Sequence, residues 1–355
     1  MMAHKAMRPR HWDAISKLCG THLEWESATF KVQNLLDANL LDHAEDVEEI
    51  CTGAVKEADI EVKLAKVSED WVDQEFTTSP FKNRGNIMLK SAETAELMTL
   101  LEDTQMVLGS LMSNRFNGPF RPAIALWIQK LSTTQEVLEQ WLMVQALWIY
   151  LEAVFSGGDI ARQLPQEAKK FQNIDKSWNK IMDACNNNPN CVNFCFHEEF
   201  LRNLLPHLQE SLDSCQKSLS GYLEAKRNLF PRFFFVSDAQ LLEILGQGSD
   251  SHSIQPHLTA IYDNLAKLEF DKTTYDKMTR MYSREGEMVP LSDPMLAQGN
   301  IEHWLDLLRL QMAKTLKDIV RDMVTTSLMP MLESMSKDKL EEFIAMYPAQ
   351  VGVLG

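Results

Sequence analysis

Three cysteines and a histidine stand near one another in the chain as Cys185-x5-Cys191-x3-Cys195-x-His197. Three thiolates and an imidazole are a possible tetrahedral zinc set. The spacings miss the short Cys-x2–4-Cys knuckle of structural zinc sites, and Cys195 sits between Phe194 and Phe196. Two readings follow: a zinc site, or, favoured by the spacing and the apolar neighbours, thiols that are buried or held in a loop. Cys19, Cys51 and Cys215 are dispersed. Six cysteines with no apolar signal-peptide run at the start read as reduced thiols of a cytosolic protein, not as a disulfide scaffold.

Other chemistry finds little footing. His197-Glu198-Glu199-Phe200 lacks the second histidine of a H-E-x-x-H helix,. No G-x-x-x-x-G-K-[ST] loop is present to cradle phosphates, and no G-x-S-x-G elbow to raise a nucleophile,. Gly246-Gln247-Gly248 follows a predicted helix, whereas a dinucleotide fingerprint follows a strand,. Carboxylates abound, but no pair stands out as a matched acid and base. Nothing in these residues supports catalysis, and work of another kind has no local signature here.

Such work depends on the elements that hold the residues. The chain has 355 residues, 45% of them hydrophobic and 24% charged, with a net charge of −15. That balance predicts a globular chain and excludes general nucleic-acid binding or docking on anionic lipid, both of which need Lys and Arg. No apolar run approaches the length of a membrane span. The 14 glycines and 13 prolines are too few for a turn-rich β-protein, while 19 methionines and 8 tryptophans suit broad contacts between helices,.

Apolar periodicity predicts a mainly α fold. Helices are expected over about 41–75, 87–114, 127–155, 165–182, 198–229, 239–245, 254–266 and 300–319. Gly157 and Gly158 end the third, Pro165 opens the fourth, and Ser237-x-x-Gln240 is a capping box,. Asn300 is the expected cap of the last. Residues 232–236 are expected as a short strand with Phe233 and Phe235 on one buried face. Residues 282–291 and 294–300 are expected as a small β-hairpin turning at Ser292-Asp293-Pro294. Trp141, Trp148, Phe155, Trp178, Phe233, Phe235 and Trp304 are the core candidates. Lys226, Arg227 and Arg232 bracket Phe230 as a solvated rim or as contacts for an acidic partner. Gly221, Gly246 and Gly248 are candidate hinges, because glycine weakens a helix by ~1 kcal/mol.

Residues 41–75 carry twelve acids against Lys56, Lys63 and Lys66, and so hold −9 of the net charge. The chain opens instead on basic residues, Lys5, Arg8 and Arg10. The acidic stretch reads as the solvated face of a long helix, with a basic partner as the sharper alternative.

Three long motifs then carry a resemblance. WLMVQALWIYLEAVFSGGDIARQLPQEAKKFQNIDKSWNKIM (141–182), KRNLFPRFFFVSDAQLLEIL (226–245), and SREGEMVPL (283–291) with NIEHWL (300–305) resemble, in order, segments of dynein heavy chains. The AQV of YPAQV (347–351) is similar to the family's approach to its motor ring, and ILGQGSDSHSIQPHL (244–258) is most similar to axonemal outer-arm dyneins of the gamma type. The resemblance implies the linker: an elongated, curved rod of helical subdomains that joins the tail to a ring of AAA+ modules. It bends and straightens in the ATPase cycle to move the motor along microtubules. It further implies that ATP and Mg are bound in the ring, with no cofactor in these residues, and that the partners are the ring, the tail and neighbouring dynein subunits. The implied place is the cytoplasm and cytoskeleton, in a ciliary or flagellar axoneme. On that reading residues 1–118 are an N-terminal helical part and 119–229 a central bundle. Residues 230–355 are a C-terminal part, cut before the ring. The other reading is a static helical scaffold that binds partners without changing shape.

Overall fold

The computed structural model describes residues 2–329 except 28 and 157, together with 337, 338 and 341. The final AQV motif lies outside the described residues. The fold is mainly α, as expected, with two small antiparallel sheets among the described residues. Two compact units share the chain: Met1–Trp148 with Asn173–Ser211, and Ile149–Gln172 with Leu212–Gly355. Neither is a single run of chain.

The elements of the first unit begin with α1 (Pro9–Cys19), α2 (Val32–Asp37), a 3-10 turn (Leu40–His43) and α3 (Ala44–Val72). The strands β1 (Thr78–Pro80) and β2 (Asn86–Leu89) lead into α4 (Ser91–Met112). Next come α5 (Arg121–Phe155), α6 (Asp159–Gln163), α7 (Pro165–Asn187), α8 (Cys191–His197) and α9 (Glu199–Leu229). The unit boundary falls inside α5, α7 and α9, and α6 belongs to the second unit. The second unit continues with a 3-10 turn (Pro231–Phe235), α10 (Asp238–Gly246), a further 3-10 stretch (Ser251–His257) and α11 (Leu258–Tyr262). Strands β3 (Leu265–Phe270), β4 (Lys277–Ser283) and β5 (Met288–Leu296) form one sheet in that order, followed by α12 (Ile301–Asp322).

Several boundaries match the sequence signals. Pro165 is the first residue of α7, where its missing N–H costs nothing. The Ser237 hydroxyl accepts from Gln240 N–H in the predicted capping box. Gly158 has φ +98°, and a Cβ there would stand 2.8 Å from the Gly246 carbonyl oxygen, so the turn after α5 requires glycine,.

The segment after α9 corrects an expectation. Residues 231–235 form a 3-10 turn, not a strand. Pro231 fixes φ near the helical value, and N–H groups of Phe233 and Val236 donate to the carbonyls of Phe230 and Phe233. Three residues per turn put Phe230, Phe233 and Val236 on the inner face, and all three are buried,. Phe235 is 74% exposed and Phe234 60%. Phe235 is therefore not a core residue, because the period is three and not two. Phe235→Ala is expected to leave thermal stability within ~0.5 kcal/mol of the parent, read from the melting transition by circular dichroism. A loss of several degrees would contradict the exposed placement.

The hairpin is also redrawn. The turn between β4 and β5 lies at residues 284–287, with Gly286 at φ +85°, and Ser292-Asp293-Pro294 runs inside β5. Met278 and Met281 of β4 and Leu291 of β5 are buried. The helix expected over 254–266 is a 3-10 stretch and one turn of helix, ending before β3. Asn300 does precede α12, but its side chain makes no capping hydrogen bond.

Candidate functional site

The cysteine cluster folds in the first unit. Cys185 lies near the end of α7, and Cys191 and Cys195 lie on α8. All three are buried, and His197 is exposed with Phe196 edge-on at 5.2 Å. Burial pushes the Cys185 thiol up to about 12, and pushes Cys191 and Cys195 up as well, with the neighbouring thiols adding to the effect. Among the described residues no group of three His, Cys, Asp or Glu is placed to hold a metal ion. A protonated, buried thiol is a small apolar group and a poor nucleophile. A maleimide at pH 8 is therefore expected to label Cys185, Cys191 and Cys195 only after unfolding, while the half-buried Cys19 reacts sooner. Peptide mapping of native, pulse-labelled chain checks this. Rapid native labelling of Cys195 would show an open site.

The tryptophans make the larger construction. Trp141, Trp148 and Trp178 are fully buried in the first unit. Trp148 and Trp178 stack at 5.5 Å, and Trp141 packs against Phe76 and Phe194 at 5.3 and 5.7 Å. The polar edges of Trp148 and Trp178 are satisfied, whereas the buried Nε1–H of Trp141 has no hydrogen-bond partner among the described residues. Trp178 Nε1–H donates to Ile87 O at 3.0 Å, and Trp148 Nε1–H donates to Asp175 at 3.2 Å. Both Asp175 carboxylate oxygens also accept from Arg84 Nη2, at 2.8 and 2.7 Å, and that guanidinium lies over the Trp148 ring. Gln145 behaves as a short piece of strand: it accepts from Leu89 N–H at 2.8 Å and donates to Leu89 O at 3.2 Å. With Trp178 it satisfies the edge of β2 that β1 leaves open,.

Asp175 and Gln145 were not among the candidates. Asp175 stands three residues before Trp178 on one helix face,, a signal present in the Asp-x-x-Trp motif. Nothing local marks Gln145 beyond its being polar in an apolar helix.

In the second unit Phe155 is buried and stacks on Phe171 at 5.8 Å, and Trp304 is fully buried on α12. The three basic candidates make hydrogen bonds within the unit, Lys226 buried and Arg227 and Arg232 half-buried, which corrects their reading as a solvated rim. Lys226 is buried and donates to Glu302 at 2.5 Å. Arg227 donates to the carbonyls of Phe233 and Val236 and to Asp238 at 2.7 Å. Arg232 donates to Ile261 O at 3.1 Å and lies over the Tyr262 ring. Lys226 and Arg227 tie α9 to α12, the 3-10 turn and α10, and Arg232 ties the 3-10 turn to α11. Gly221 sits inside α9 with open space where a side chain would be, whereas Gly248 faces the Leu245 carbonyl at 3.4 Å.

Residues 1–323 match the family described as dynein heavy chain, N-terminal region 2. The chain belongs to the dynein heavy chain family. It is 53% identical over 356 residues to human dynein axonemal heavy chain 8, and 49% identical over 354 residues to mouse dynein axonemal heavy chain 5. It is 45% identical over 355 residues to the dynein gamma chain of the flagellar outer arm of Chlamydomonas reinhardtii. Each match takes in 100% of this chain and 8% of the relative. The three motifs quoted above all fall inside the dynein family match. In this dynein segment the tryptophans and Asp175 lie in the buried part of the first unit, and the basic residues link neighbouring elements of the second. Among the described residues no helix is long and apolar enough to cross a membrane.

Proposed function

We propose that this chain is the linker of an axonemal dynein motor, a lever that joins the tail to the AAA+ ring and does no chemistry itself. The match to the dynein N-terminal region over residues 1–323 carries the reading. The construction supports it. Helices α3, α5, α7 and α9 run for 29, 35, 23 and 31 residues, and α5 alone extends about 50 Å at 1.5 Å per residue. Stiffness of that kind suits force transmission. ATP and Mg act in the ring, and the segment's partners are that ring, the tail and neighbouring dynein subunits in the axoneme. The parts of the lever follow the sequence as 1–118, 119–229 and 230–355, and Gly221, Gly246 and Gly248 are where it yields.

Nucleotide in the ring can bias the lever only through differential affinity for its two shapes. Fluorescent labels at the two ends of this segment, in the complete heavy chain, are expected to change separation between the ATP-bound and nucleotide-free states. An unchanged separation, with ATPase and gliding intact, would leave the static scaffold as the function.

A further inference from the structure

Residues 35–42 read Leu-Leu-Asp-Ala-Asn-Leu-Leu-Asp, and the structure splits each leucine pair. Leu35 and Leu40 pack inward on a cluster of Ile15, Leu23, Ala38, Val47 and Cys51. Leu36 and Leu41 point outward, 55% and 81% exposed, beside Val32 at 71%. Asn39, in the left-handed region at φ +51°, turns the chain between α2 and the 3-10 turn, a conformation asparagine tolerates. An outward set of three large aliphatic side chains on one short stretch is not explained by packing among the described residues,.

Acids rim this set. Asp37, Asp42, Glu45, Asp46, Glu48 and Glu49 are all exposed, and no Lys or Arg occurs from residue 32 to 55. The positive end of α3 accounts for Glu45 and Asp46, which lie in its first turn,. It does not account for the other four or for the leucines. The chain's own basic opening is used elsewhere on α3: Arg8 pairs with Glu61 at 2.8 Å, and Arg10 and His11 with Glu57 at 2.7 and 2.9 Å. Among the described residues, the one cation paired with the six rim acids is Arg115, 4.0 Å from Glu49.

We propose that α2 and its 3-10 turn form a docking surface for a basic amphipathic helix of a protein partner. Its Leu, Met or Phe side chains, spaced three and four apart, cover Val32, Leu36 and Leu41. Its flanking Lys and Arg meet the rim. Charge complementarity selects this occupant: an anionic membrane, a nucleic acid or a second copy of the same acidic surface is repelled. The proposal does not depend on the lever reading.

Two measurements test it on the intact heavy chain. In the first, a helical peptide of Leu and Lys is titrated by fluorescence anisotropy, with a Leu and Glu peptide of the same pattern beside it. The Leu/Lys peptide is expected to bind, with affinity falling as salt rises. Binding is expected to weaken at least tenfold in Leu36→Ser/Leu41→Ser and in Asp42→Asn/Glu45→Gln/Glu48→Gln, and to hold in Glu96→Gln/Glu102→Gln on α4. Equal loss in the α4 variant would show general attraction to an acidic protein, and no loss in the leucine variant would show that the apolar set is not used; either overturns the proposal. So does a melting temperature lowered by several degrees in Leu36→Ser/Leu41→Ser, which would make the leucines structural. In the second, a photo-crosslinking residue at position 41 of the assembled dynein is expected to join a segment with apolar residues flanked by Lys and Arg. Joining only to this heavy chain, to an acidic segment or to nothing would sink the proposal.

Discussion

Trp178→Ala is expected to destabilise the chain by about 3–5 kcal/mol, the usual range for removing a buried aromatic side chain. The indole is fully buried and stacks on Trp148. Its loss leaves a cavity that the surrounding helices fill only in part. A second effect comes from the polar edge: Ile87 O loses the donor 3.0 Å away, and an unsatisfied buried carbonyl costs about 1–3 kcal/mol. Trp178→Phe is the intermediate case, because it keeps one six-membered ring in the core and gives up the N–H together with part of the indole's volume. Urea unfolding of parent, Trp178→Phe and Trp178→Ala should give stabilities in that order. If Trp178→Ala unfolded at the parental midpoint, the tryptophan core would not be holding the first unit together.

Glu302→Ala should be as damaging for a different reason. Glu302 and Lys226 are both buried, and the ammonium is held by one carboxylate oxygen at 2.5 Å. The other oxygen has no hydrogen-bond partner, so the pair has already given up hydration that the protein does not fully replace. Removing the carboxylate strands a charged lysine among apolar groups, at about 3–5 kcal/mol. Replacing both partners removes the charge altogether. Lys226→Met/Glu302→Leu is therefore expected to recover most of the loss, since well-packed apolar substitutes for buried pairs are often neutral or stabilising. Thermal melts of the two single variants and the double variant decide it. A double variant no better than Glu302→Ala would mean that this joint needs the ion pair itself.

How far the fold was legible depends on the range of the signal. The starts of α7 and α10 were written locally in Pro165 and Ser237-x-x-Gln240, and the burial of Trp141, Trp148, Phe155, Trp178 and Trp304 followed from helical spacing. The strands were harder. β2 is four residues long and reads as the start of the helix that follows it, while β5 carries a turn-like Ser-Asp-Pro within a strand. The Phe run was misread because both faces of an extended segment and the sides of a 3-10 turn look alike in an apolar string. Pro231 was the clue to the tighter period.

The polar contacts were less legible still. Lys226 and Glu302 lie 76 residues apart, and Arg84 and Asp175 lie 91 apart. Nothing near Lys226 announces that its partner opens a distant helix, so an exposed rim was the natural expectation. The basic opening and the acidic helix are each plain in the sequence, with nothing local to link them. That Arg8 and Arg10 pair with Glu61 and Glu57 required the fold.

The interleaving of the two units has a consequence for synthesis on the ribosome. Trp141 packs on Phe194 and Trp148 on Trp178, so the first unit cannot close until the chain is made well past residue 194. Residues 149–172 emerge before that point and belong to the other unit. Phe155 and Phe171 find each other there, but Phe230, Phe233 and Trp304 of the same unit come later. At 5–20 residues per second, the stretch waits several seconds in water with apolar surface uncovered. That interval is when a chaperone has something to hold, and a nascent chain arrested between residues 172 and 212 is the form in which to look for one.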